Sequence, residues 1–197
     1  MENGTLFLVS TPIGNLADLS RRALSTLEKV SVVYAEDTRR SQTLLRHYDL
    51  NPRLRSLHEH NEASRVEEVL GRLAAGEHCA LISDAGTPAV SDPGVRIVAA
   101  VAEAGFRIEP IPGPSAVTTA LAAAGLPADR FLFLGFAPRR GRDRETWMEH
   151  ALDSPHTVVA FEAPGRIEAL LARWQQLGVG PRRCVVCREL TKLHEDI

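Results

Sequence analysis

The sequence predicts an α/β protein with largely parallel sheets, and three observations predict it. Short apolar runs alternate with segments of helical periodicity along the whole chain. Loops rich in Gly and Pro follow several of the apolar runs, where a strand gives way to a helix. The 197 residues are 44% hydrophobic and 24% charged, which is enough to bury a real core.

The elements follow in order. Thr5–Ser10 reads as a buried strand that stops at Thr11-Pro12-Ile13-Gly14. Leu19, Ala23, Leu24 and Leu27 recur at helical spacing, with Asp18 placed to cap them. Val30–Ala35 is the next strand and Thr38–His47 a short helix. Ser64–Ala75 is amphipathic, with Val66, Val69, Leu70 and Leu73 on one face and Gly76 as its C-cap. Cys79–Ser83 is a strand, Val95–Ala104 a helix closed by Gly105, and Arg107–Ile111 a strand running into Pro112-Gly113-Pro114. Ser115–Ala124 is an Ala-rich helix closed by Gly125.

A second series then begins. Phe131–Gly135 is a strand, Arg144–Leu152 a helix, Thr157–Phe161 a strand, Ile167–Leu177 a helix and Cys184–Arg188 a strand. The break falls within Pro112–Leu126, which divides the chain into domains 1–114 and 115–197.

Charge and cysteine content narrow the function classes. A net charge of −2 excludes a polycation, so a nucleic-acid partner needs a local basic patch. Lys29 and Lys192 are the only lysines, and Arg suits bidentate phosphate contacts better than Lys. Three cysteines and no signal peptide suit a reducing cytosol. Cys184-Val-Val-Cys187 has CxxC spacing but no second CxxC beside it, so it reads as strand core and no metal is expected. No apolar run approaches the ~18 residues of a membrane span.

The candidate chemistry lies at strand ends, where open α/β sheets bind ligands. Thr11–Asn15, Asp84–Pro88 with Ser91–Gly94, and Pro112–Ser115 are such loops. Glycine lets backbone approach a ligand, and the helix opening at Ser115–Ala116 offers free N–H donors. No GxGxxG, P-loop or GxSxG pattern is present, and Gly135-Phe-Ala-Pro-Arg-Arg-Gly lacks the P-loop lysine.

Seven motifs in fixed order carry a closer resemblance. They are Leu8–Leu16, Ala35-Glu-Asp-Thr-Arg39, His58-Glu-His-Asn-Glu62, Ile82–Pro88, Ser91-Asp-Pro-Gly94, Ile111–Ser115 and Glu189-Leu-Thr-Lys192. The chain resembles the bacterial 16S ribosomal RNA cytidine 2′-O-methyltransferases, within the tetrapyrrole methylase-like class. The resemblance implies two α/β domains with S-adenosylmethionine in the cleft between them, and a homodimer in the cytosol acting on 16S rRNA in the small ribosomal subunit. It places Pro12, Asp84, Gly86, Thr87, Val90, Ser115 and Ala116 at the cofactor. Phe161 and Glu162 face it from the end of one C-domain strand, Leu190 and Thr191 from the end of another.

Methyl transfer to a hydroxyl needs alignment and a base or cation near the acceptor. Candidates in the matched motifs are Glu36, Asp37 and Arg39, then His58, Glu59 and Asn61, and Lys192 directly after a strand end. Asp37 or Thr38 reads equally well as the N-cap of the following helix, and Lys192 as a surface ion pair with Glu189 or Glu195. Arg139, Arg140, Arg142 and Arg144 form the RNA-gripping loop, with Arg182 and Arg183 adding to it. A same-fold methyltransferase of small molecules, or a module that binds cofactor without catalysis, is the competing reading. Two departures stand out: Ala163 and Gly165 replace the usual Ser and His, and the chain ends at Ile197 where family members continue. The resemblance therefore implies an incomplete C-terminal domain.

Overall fold

The computed structural model describes residues 2–58, 61–178 and 182–197. The chain divides into two compact units, Met1–Ala116 and Val117–Ile197.

The first unit is built on five parallel strands: β1 (Thr5–Val9), β2 (Val32–Ala35), β3 (Arg53–Ser56), β4 (Cys79–Ile82) and β5 (Arg107–Ile111). Their order in the sheet is β3-β2-β4-β1-β5. Between them run α1 (Arg21–Leu27), α2 (Thr38–His47), α3 (Glu62–Ala74) and α4 (Val95–Glu103).

Strand periodicity sorts the core into two layers. Val33, Ala35, Ala80, Ile82 and Val9 pack with Leu19, Ala23, Leu27 and Leu45 from the side of α1 and α2. Val32, Tyr34, Cys79, Leu81 and Leu6 pack with Val69, Leu73, Ile97 and Val101 of α3 and α4. Each fully buried Val, Leu or Ile among them contributes about 1.5–3 kcal/mol. The chain moves outward from β1 to β3 over one face and returns from β3 to β5 over the other. Right-handed crossovers require this change of face when the direction reverses. At its carboxyl end β4 therefore sends its chain to the opposite face from its neighbours β1 and β2. Such a reversal opens a crevice beyond the strand ends.

Several expectations need correction at element ends. Asp18 does not cap α1; it ends a short 3-10 turn whose cap is Asn15, and the Ser20 side chain accepts from Ala23 N at 3.0 Å instead. Ala75 is the C-cap of α3 and Gly76 lies one position beyond. Strand β3 was not anticipated. Arg53-Leu-Arg-Ser is too polar to read as a strand, and it forms because β2 templates it as an edge.

The second unit holds β6 (Phe131–Phe136), α6 (Arg142–Asp153), β7 (Thr157–Phe161) and α7 (Ile167–Gln176), reached through α5 (Ala116–Ala123). Strands β6 and β7 pair in parallel, with the register shifting between Phe133 and Phe136. Trp147 and Trp174 stack at 5.9 Å over Met148 and Leu170, and Trp147 Nε1 donates to Leu134 O at 3.0 Å. The anticipated strand Cys184–Arg188 is not one. A strand needs a neighbouring backbone about 4.8 Å away along its length, and among the described residues this segment has one bridge, Arg188 to Asp196. Cys184 is exposed and Cys187 half-buried, so the CxxC is not strand core.

Candidate active site

The loops after β1, β4 and β5 meet around one residue. Thr11 and Gly86 exchange backbone hydrogen bonds of 2.9 and 3.0 Å. Thr11 Oγ1 donates to Ser83 O at 3.0 Å, and Ser83 Oγ to Gly86 O at 3.1 Å. The hydroxyls of Ser10 and Thr87 share a hydrogen bond of 3.2 Å. Gly86 has φ +88°, and a Cβ there would lie 3.6 Å from Cγ2 of Ile13 and 3.8 Å from Pro114 O. Side-chain-free backbone thus sits where the three loops converge, flanked by buried Pro12.

The β4 loop stays unusual after Gly86. Ala89 and Ser91 both have left-handed backbones, with φ of +64° and +62°. Val90 between them is 46% exposed. Left-handed non-glycine residues cost about 1–2 kcal/mol each and gather where function demands a fixed shape. Ser115 closes the β5 loop and Ala116 opens α5.

Carboxylates crowd the same edge. Asp84 Oδ1 accepts from Asp37 N at 3.0 Å, and its Oδ2 lies 3.4 Å from Arg40. Glu36 is exposed, yet partial desolvation of its carboxyl raises its pKa, and Asp84 and Asp92 raise it further against the pull of Arg40. Burial also raises Asp92, with Asp84 adding to it and the Ser83 hydroxyl opposing it. Mutual repulsion of this kind favours a cationic ligand.

The other anticipated catalytic residues have diverse surroundings. Asp37 caps α2, accepting from Arg39 N at 2.8 Å and Arg40 N at 3.3 Å. Arg39 is exposed. Asn61 accepts from His58 N at 2.9 Å and donates to Ser56 O at 3.1 Å, which shapes the turn ahead of α3. Glu59 lies outside the described residues.

In the second unit Phe161 ends β7, as anticipated. Glu162 is 3% exposed in its side chain and pairs with Arg144 at 3.3 Å and Arg166 at 2.5 Å. Arg144 also donates to Pro138 O at 2.8 Å. It is therefore turned inward, unlike exposed Arg139, Arg140 and Arg142, and is not part of a phosphate-facing set. Arg182 donates to Ala151 O, Leu152 O and His156 O, holding the C-terminal end of α6. Arg183 donates to Gly125 O at 3.5 Å.

Leu190, Thr191 and Lys192 do not follow a strand. They lie in a tight turn closed by the Arg188–Asp196 bridge, with left-handed Glu189 (φ +53°) and Thr191 (φ +67°). Thr191 N donates to a Glu195 carboxylate oxygen at 2.6 Å, whereas Thr191 Oγ1 is buried without a hydrogen-bond partner among the described residues. Lys192 Nζ pairs with Glu189 at 3.3 Å, the surface ion pair among the two readings of this residue. Among the described residues no group of three His, Cys, Asp or Glu comes together to hold a metal, and no helix is long and apolar enough to cross a membrane.

Sequence reasoning missed Thr11 as a loop lock, Ser83 as its partner, Arg40 as the Asp84 counter-charge and Glu62. Their signal was weak, because Thr11, Arg40 and Glu62 act on groups distant in sequence and Ser83 is set by the turn at Gly86.

Residues 5–197 match the family described as Tetrapyrrole (Corrin/Porphyrin) Methylases. The chain belongs to this family. Its relatives include proteins named ribosomal RNA small subunit methyltransferase I. One from Pseudomonas aeruginosa is 46% identical over 197 residues, spanning 100% of this chain and 70% of the relative. Another, from Escherichia coli O157:H7, is 44% identical over 194 residues, spanning 98% of this chain and 68% of the relative. Among solved structures, diphthine synthase aligns with TM-score 0.69 at 16% identity, over 88% of this chain and 73% of that one. Uroporphyrin III C-methyltransferase from Thermus thermophilus aligns with TM-score 0.64 at 19% identity, over 98% of this chain and 86% of that one. At such identities the likeness is one of fold: an α/β protein of the tetrapyrrole methylase type.

Proposed function

We propose that this chain is an S-adenosylmethionine-dependent methyltransferase of the small-subunit ribosomal RNA, delivering the methyl group to the 2′-hydroxyl of a cytidine in the cytosol. The observation that carries the reading is the convergence of three strand-end loops on Gly86. Relatives 44–46% identical that bear the name of such an enzyme supply the substrate class.

The residues present fit the cofactor. S-adenosylmethionine carries an amino acid, a ribose, an adenine and a sulfonium cation. Gly86 leaves room for close backbone approach, and the buried hydroxyl of Thr191 has a donor unused among the described residues. The acidic edge of Glu36, Asp84 and Asp92 favours a ligand of positive charge. In the first unit Pro12, Asp84, Gly86, Thr87, Val90, Ser115 and Ala116 are the proposed cofactor residues; in the second they are Phe161, Glu162, Leu190 and Thr191. The bound cofactor would supply an electrophilic methyl group on sulfur.

The chain's residues then orient the ribose and accept the proton of its hydroxyl. Glu36 is the proposed acceptor, because its raised pKa makes the carboxylate a better base than an ordinary glutamate. Arg39, His58 and Glu59 complete the proposed substrate side in the first unit. Arg139, Arg140 and Arg142 would grip phosphates. Calorimetric titration with S-adenosylmethionine tests the reading: micromolar binding is expected, and no heat at millimolar ligand contradicts it.

A further inference from the structure

Helix α4 starts after Gly94, a cap residue with no side chain to receive the free N–H groups of the first turn. Packing imposes the glycine: its φ is +125°, and a Cβ there would lie 2.5 Å from Cδ2 of Leu81. A local Ser, Thr or Asp cap is thereby excluded. The acceptor comes from the start of α3 instead. Glu62 Oε1 accepts from Gly94 N at 3.0 Å and from Arg96 N at 2.8 Å. Glu62 is only 6% exposed. A carboxylate here is favoured twice, by charge-assisted bonds and by the helix dipole.

The segment just ahead of this clamp is the strained one. Ala89 and Ser91 are left-handed, Val90 points to solvent and Asp92 belongs to the acidic edge. Strained backbone persists only where its surroundings over-determine it. The Thr11–Gly86 bridge fixes the segment at its start, and Glu62 fixes it at its end.

We infer that Glu62 is a positioning residue for the cofactor loop: its buried carboxylate pins Gly94 and Arg96 and so holds residues 89–92 in the shape that receives S-adenosylmethionine. The inference rests on the function proposed above. Glu62 acts through the loop and takes no part in the transfer itself. Through it the start of α3, at Asn61 and Glu62, is joined directly to the loop beyond β4.

The test compares Glu62→Ala, Glu62→Asp and Glu62→Gln with the unaltered chain at a temperature where the proteins are folded by circular dichroism. Amide hydrogen exchange at Gly94 and Arg96 is read beside the calorimetric Kd for S-adenosylmethionine. In Glu62→Ala both amides exchange about tenfold faster or more, and Kd rises about tenfold or more. Glu62→Asp withdraws the oxygens by one methylene and gives the same result, which serves if the alanine variant does not fold. Glu62→Gln keeps an acceptor oxygen and stays within about threefold on both readouts. Unchanged exchange in the alanine and aspartate variants overturns the inference, and so does faster exchange with an unchanged Kd. Failure of the unaltered chain to bind S-adenosylmethionine overturns the proposed function instead.

Discussion

Two glycines on one loop differ in what an added methyl group would meet. Gly86→Ala places a methyl group at φ +88°, where it meets Ile13 Cγ2 at 3.6 Å and Pro114 O at 3.8 Å. Those are ordinary contacts, so the cost is the left-handed backbone alone, about 1–2 kcal/mol. For a protein of this size that lowers Tm by roughly 2–8 °C. Gly94→Ala has the same kind of backbone penalty and adds a contact of 2.5 Å with Leu81 Cδ2 inside the core. Overpacking adds about 1–3 kcal/mol, so its total is about 2–5 kcal/mol. Cofactor affinity in Gly86→Ala should fall by more than its small stability cost accounts for. The Gly86 methyl group lies where the three loops converge, so affinity for S-adenosylmethionine falls at least about tenfold, which is about 1.4 kcal/mol. Thermal unfolding and calorimetry on both variants give the two numbers. A Gly86→Ala protein that binds as tightly as the unaltered chain refutes the assignment of this convergence as the cofactor site.

Three further outcomes follow from the geometry. Reversing Arg139 and Arg140 to Glu should weaken binding to small-subunit rRNA and lower the slope of log affinity against log salt by about 2 or more, since each exposed arginine is taken to neutralise one phosphate; filter binding across a salt series reads it, and an unchanged slope removes the patch. Glu162→Ala strands Arg144 and Arg166 beside an emptied buried site, and should cost about 3 kcal/mol in urea unfolding, less if Arg166 turns to solvent; a loss below about 0.5 kcal/mol contradicts the pairing. Asp92 has a raised pKa, so the folded state holds its proton more tightly than the unfolded chain does. Its contribution to stability is full below the unfolded pKa and is lost as pH rises through the folded one. Asp92→Asn should therefore raise Tm at neutral pH and flatten the change in Tm across the mildly acidic range, while weakening the affinity for a cationic ligand; a lower Tm at pH 7 contradicts the electrostatic account.

The elements legible in the sequence are those whose side chains alternate or recur by local rules. Val32–Ala35 and Cys79–Ile82 are buried on both faces and so read as continuous apolar runs. Helix α3 announces itself through Val66, Val69, Leu70 and Leu73. Arg53–Ser56 was invisible because an edge strand takes its conformation from its neighbour and has no apolar code of its own. Cys184–Arg188 fails for the opposite reason, since apolar character alone cannot make a ladder. In the site, glycine and proline marked the loops, but their meeting at Gly86 depends on strand order. The remote cap from Glu62 and the inward turn of Arg144 each join residues far apart in sequence. No periodicity encodes such pairs.

The most direct measurement of the central claim is methyl transfer itself. Small subunits assembled on unmodified 16S rRNA are incubated with the protein and S-adenosylmethionine labelled with tritium in its methyl group, and the rRNA is digested to nucleosides. The account predicts label in a single species, 2′-O-methylcytidine. Label on a base, or on a small-molecule acceptor with none in the rRNA, contradicts it.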